Sequence, residues 1–179
     1  MTPLLLLLLL AAAPAAAPAA APALDCPPGT AQAGAAPPEG FEVWCEGRPD
    51  ATGHLRRHGP AREWYDGGAI RTEDRWAEGK RDGPFVEYHR NGRRARAGTY
   101  AADQKTGTWT TWLESGQAED EVQFRADLRH GSFTSWHPNG RKKTEGRFCH
   151  GLQCGRWTSW DEAGRELGRM EFGEQRDVP

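Results

Sequence analysis

Five glycines stand 24 residues apart, at Gly59, Gly83, Gly107, Gly131 and Gly155, and each opens the same pattern of aromatics and glycines. A fixed period of this length confines the chain to a repeat array, in which each unit buries its apolar surface mainly against its neighbours. With each of these glycines as offset 0, an aromatic recurs at offset 5 (Trp64, Tyr88, Trp112, Trp136, Trp160) and at offset 17 (Trp76, Tyr100, Phe124, Phe148, Phe172). A second glycine recurs at offset 9 (Gly68, Gly92, Gly116, Gly140, Gly164). Offset 2 is aromatic in four units, Phe85, Trp109, Phe133 and Trp157, and is Ala61 in the first. These three columns hold 14 of the 17 aromatics, so the array sets the fold.

The glycines at offsets 0 and 9 exclude a sustained helical stripe. Each unit instead reads as a strand near offsets 1–6, a tight turn closing on the offset-9 glycine, and a second strand near offsets 10–17. The fold class is therefore all-β, an elongated array of antiparallel hairpins. A type I turn followed by a glycine bulge needs positive φ only at offset 9 and favours proline at offset 7, where Pro138 sits. That turn pairs offset 5 with offset 11. It predicts that the offset-5 and offset-17 rings share one face, while Phe85, Trp109, Phe133 and Trp157 form a row on the other, among Glu, Ser, Thr, Arg and Gln. A competing register joins offsets 2 and 17 and moves the candidate contact surface to Tyr88, Trp112, Trp136 and Trp160. Cys149 and Cys154, which look directly opposed across a four-residue loop, favour that alternative.

Residues 4–10 are seven leucines, followed by an Ala/Pro stretch that ends Ala21-Pro22-Ala23. A short apolar run before small residues at the A-x-A spacing reads as a secretory signal over residues 1–23, cleaved after Ala23. Pro14, Pro18 and Pro22 interrupt the run short of the roughly 20 residues a membrane span needs, so no transmembrane segment is expected in the mature chain. The expected location is periplasmic or extracellular. Residues 24–58 read as an N-terminal cap containing Cys26 and Cys45, and residues 59–178 as five repeats. Four cysteines agree with export, since disulfides persist in oxidising compartments. Three pairings are possible, and Cys26–Cys45 with Cys149–Cys154 needs the least chain rearrangement. Loop closure would contribute roughly 3 kcal/mol for the longer loop and about 2 for the shorter.

The formal net charge of −2 argues against broad attraction to nucleic acid or anionic lipid. Basic clusters at Arg93, Arg94 and Arg96 and at Arg141, Lys142 and Lys143 flank the acidic Glu119, Asp120 and Glu121, which predicts cross-strand pairing on a solvated face. Cys149, His150 and Cys154 suggest a metal site only if the thiols stay reduced, and an exported pair is more often oxidised. No catalytic triad, phosphate-binding glycine loop or cofactor motif is present. Neither an enzyme activity nor a cofactor is expected.

The pattern G-x-[FW]-x-x-[WY]-x-x-x-G, followed by an aromatic eight residues later, resembles the MORN-type repeat over Gly59 to about Val178. The closest match is the bacterial variant found in tandem in proteins often named as antitoxins of toxin–antitoxin systems. The family's aromatic-x-x-Gly step is present at Trp76-Ala77-Glu78-Gly79 and Phe148-Cys149-His150-Gly151. The resemblance implies a hairpin array used for protein or lipid contact rather than catalysis, with an antitoxin or immunity-type role as one alternative. Two function classes follow: a scaffold binding an unknown protein partner through its sheet, and a module whose aromatic row stacks on a glycan or lipid headgroup. Export is testable. N-terminal sequencing of the mature protein is expected to begin at Leu24, and recovery of an intact Met1 terminus from the cytosol would exclude the signal.

Overall fold

The computed structural model describes residues 23–173. Residues 1–22 of the expected signal over residues 1–23, and the end of the fifth repeat beyond residue 173, lie outside the described residues. Within them the chain forms thirteen strands and no helix: β1 (Ala31–Ala35), β2 (Glu42–Pro49), β3 (Leu55–Trp64), β4 (Ile70–Ala77), β5 (Lys80–Arg81), β6 (Gly83–Tyr88), β7 (Arg94–Ala101), β8 (Gln104–Trp112), β9 (Ala118–Arg125), β10 (Leu128–Trp136), β11 (Lys142–Cys149), β12 (Leu152–Trp160) and β13 (Glu166–Phe172). They make one antiparallel sheet in chain order, with β5 and β6 both pairing β4 as one interrupted strand. Each 24-residue unit supplies one hairpin, as its glycines and aromatics predict.

The bulged turn forms in every unit. The offset-9 amide donates to the offset-6 carbonyl, as from Gly92 to His89 at 2.9 Å, and the offset-6 amide donates to offset 10, as from His89 to Arg93 at 2.8 Å. The offset-9 glycines adopt φ between 79° and 90°, the left-handed region that glycine enters without steric cost. Offset 5 pairs with offset 11 as expected, for example Trp112 with Ala118 and Trp160 with Glu166.

The expected faces do not follow from that pairing, because a second bulge comes one residue later. In every hairpin the register steps between offsets 4 and 5, leaving the offset-12 residue unpaired. One extra residue on one strand reverses the side on which every later residue points. Offset 17 consequently pairs with offset 0, as Gly83 with Tyr100, and offset 2 with offset 15, as Phe85 with Gly98. The offset-2 and offset-17 rings therefore share a face.

Their packing is the core. Phe85, Trp109, Val122, Phe148 and Trp157 are buried, with Tyr100, Phe124, Phe133 and Phe172 packed against them. The arrangement repeats every two units. Phe85 stacks on Trp109 at 5.6 Å and 29°, and Phe133 stacks on Trp157 at 5.4 Å and 29°. Tyr100 and Phe148 meet those tryptophans edge-on at 5.0 Å. Close approach of each indole to the strand beneath it depends on glycine: a Cβ at Gly98 would lie 2.2 Å from Trp109, and one at Gly146 2.2 Å from Trp157. In the intervening unit Val122 holds the equivalent position and its neighbouring ring is the smaller Phe133.

The cap is continuous with the array, since β3 runs through Gly59. Trp44 on β2 stands directly opposite Ala61, so the bulk missing from the first unit's offset 2 comes from the adjacent strand. Cys26–Cys45 ties the leading segment to β2. Cys149–Cys154 also forms, but the two cysteines are not directly opposed: Cys149 pairs with Leu152 and Cys154 with Arg147.

The glycine–tryptophan fit gives a thermodynamic test. Gly98→Val should destabilise by about 2–3 kcal/mol through overpacking. Adding Trp109→Phe, which imitates the Val122–Phe133 combination, should recover part of the loss, and a double-mutant cycle by chemical denaturation reads the coupling directly.

Candidate contact surfaces

The second bulge corrects the sequence-derived row. Phe85, Trp109 and Trp157 are 5%, 2% and 6% exposed, and Phe133 is half-buried. They are core residues on the same face as the offset-17 rings, not a row displayed on a polar face.

The offset-5 residues take the opposite face. Trp64 is buried, whereas Tyr88, Trp112, Trp136 and Trp160 are half-buried. Among the described residues no ring–ring contact joins these five. Their neighbours are polar: the Tyr88 hydroxyl donates to Glu73 at 2.8 Å, and the Lys142 amine lies 5.5 Å over Trp160 while bonding Glu145 at 3.1 Å. Burial, reinforced by the Glu73 carboxylate, raises the Tyr88 phenol above its ordinary pKa. Half-buried Thr110, Thr134 and Thr158 line the strands between. Each hairpin adds two strands, so successive offset-5 rings are about 10 Å apart.

Two turn ladders hold these rows in register. Along one edge the offset-6 side chain bonds the next unit's offset-5 carbonyl: Tyr65 to Tyr88 at 2.8 Å, His89 to Trp112 at 2.7 Å and His137 to Trp160 at 2.9 Å. Asn91 and Asn139 reach the carbonyls of Glu114 and Glu162 in the same way. Along the other edge, two-residue loops at offsets 19–20 carry positive φ at both positions, including the non-glycine pairs Ala102-Asp103 and Ala126-Asp127. There Asp103 and Asp127 replace the glycine of the aromatic-x-x-Gly step. Each donates its amide to the preceding unit's offset-22 carbonyl and accepts that residue's amide on its carboxylate, at 2.7 Å from Arg81 and 2.8 Å from Lys105.

That offset-22 position was not singled out from the sequence and is a fourth column. Arg57, Arg81, Lys105 and Arg129 occupy it and cover the core rings: Arg57 lies 4.6 Å over Trp44, Arg81 5.2 Å over Trp76, Lys105 4.7 Å over Trp109 and Arg129 5.2 Å over Phe148. The methylene stems shield the rings while the charged heads reach water. Arg81 also bonds Asp74, a buried carboxylate, at 3.0 Å. Lys105 is held below the usual lysine pKa by desolvation and then by the nearby guanidiniums of Arg96 and Arg129, against the attraction of Asp127. Between β9 and β12 a groove opens over Phe133, Phe148 and Trp157, with Asp120, Arg129 and Lys143 at its rim and Trp136 of the offset-5 column also lining it.

Two residues of the first basic cluster bond locally. Arg96 pairs with Glu87 at 2.7 Å, and Arg93 bonds the Glu114 carbonyl at 3.2 Å. Disulfide formation removes Cys149 and Cys154 as thiolate ligands, and among the described residues no group of three or more His, Cys, Asp or Glu is placed to hold a metal. Two disulfides fit an oxidising compartment, and no helix of the described residues is long and apolar enough to cross a membrane. Comparison with known proteins finds no family model that matches the chain and no curated protein that matches it.

The two tryptophan rows should separate energetically. Trp109→Ala is expected to cost about 3–5 kcal/mol, the range for truncating a buried large aromatic. Trp112→Ala is expected to cost about 2 kcal/mol or less. Urea titrations of both variants, with the disulfides intact, check the order.

Proposed function

We propose that this chain is a non-catalytic, exported repeat scaffold that binds another protein through the face bearing Tyr88, Trp112, Trp136 and Trp160. The observation that carries this reading is the fate of the aromatic columns. Offsets 2 and 17 are consumed by ring packing, whereas offset 5 presents one half-buried ring in each of the last four hairpins, on a face of threonines and opposed charges. Aromatic anchors set among polar groups are the composition of interface hot spots and their rims. The resemblance to MORN-type repeats implies a contact array of this kind, and the disulfides support export.

A second reading has its own support. The groove over Phe133, Phe148 and Trp157 combines an apolar floor with Asp120, Arg129 and Lys143, a pairing suited to a glycan or lipid headgroup.

Chemical crosslinking in the exporting cell distinguishes the two. Trp112→Ser with Trp160→Ser should abolish a specific protein adduct, while Arg129→Ala with Lys143→Ala should leave it unchanged. The opposite dependence would replace the protein-binding face with the groove.

A further inference from the structure

β13 is the last strand of the sheet and, among the described residues, pairs only with β12. In the interior hairpins the offset-15 position is covered by the next unit's ring, Trp109 over Gly98 and Trp157 over Gly146. Met170 holds that position in β13 and is 61% exposed, with Leu167 in the same strand at 69%, the highest values among the exposed large apolar residues. A seven-residue edge with uncovered apolar side chains is a template for another strand.

The edge is complementary to itself. Antiparallel pairing of Gly168-Arg169-Met170-Glu171-Phe172 with a second copy, centred on Met170, sets Arg169 opposite Glu171 twice and Gly168 opposite Phe172 twice. Strand alternation keeps the sets apart: Gly168, Met170 and Phe172 lie on the ring face, and Arg169 and Glu171 on the other. Each phenylalanine thus meets a glycine, the combination of large ring and absent Cβ used inside the array. Glu171 already bonds Arg156 at 2.7 Å, and Arg169 bonds Glu166 at 2.6 Å. Pairing joins these into a row of alternating charge, Arg156, Glu171, then Arg169 and Glu166 of the second copy.

We propose that two copies of the chain associate through their β13 edges about a two-fold axis perpendicular to the sheet, forming one continuous sheet with both ring faces on the same side. The contact uses one patch on each copy, so it closes at two. At the other end β1 is only five residues long, and the leading segment is tied down by Cys26–Cys45.

Sedimentation equilibrium of the oxidised protein over a concentration series tests this, independently of any partner on the tryptophan face. Twice the monomer mass is expected. Arg169→Glu places two pairs of like charges across the axis and should weaken association roughly tenfold or more. Glu171→Arg should do the same, so failure of one variant to fold leaves the other as the test. The double exchange Arg169→Glu with Glu171→Arg restores the cross-axis pairs, while setting like charges beside Arg156 and Glu166, and should recover association in part. A monomer at all concentrations, a mass that keeps rising, indifference to both single variants, or no rescue by the exchange would each overturn the proposal.

Discussion

The sheet depends on one unpaired residue per hairpin. At offset 12 the second strand carries an extra residue, and from that point the side chains change sides. Without it the offset-17 rings would join the offset-5 rings, and a single sheet would spread its aromatics over both faces. With it, two of the three aromatic columns converge into one layer of packed rings. A one-layer array has no second sheet to bury against, so concentrating its large side chains on one face is its route to a core.

The two faces consequently have different duties. On one, rings stack, meet edge-on and lie under a column of arginines and a lysine, and the backbone is thinned to glycine where an indole must approach it. On the other, the rings stand apart among threonines and paired charges. Changes on the first face act through stability. On the second, changes leave the packed ring layer in place.

Much of this architecture was legible in the sequence, because periodicity and turn chemistry are local. Glycines 24 residues apart with aromatics at set offsets identify hairpins, and the offset-9 glycine identifies the bulged turn. The face assignment was not legible, since the second bulge has no residue signature: offset 12 is Arg71, Ala95, Glu119, Lys143 or Leu167. The cross-strand pairing that Cys149 and Cys154 suggested favoured the register that formed, yet the pair is diagonal and the bulge sets the register. The offset-22 cations were missed because one lysine interrupts the arginines there and Gln153 breaks the column. A fixed-offset count of positive charge would have exposed it.

The alternation of Gly98, Val122 and Gly146 beneath Trp109, Phe133 and Trp157 bears on how such a chain changes length. Excising the 24 residues 131–154 would bring Trp157 against Val122, and excising 107–130 would leave Phe133 above a bare glycine. Loss of residues 107–154 returns a tryptophan to a glycine. The sequence period is one hairpin, but the unit of growth that preserves the packing is two.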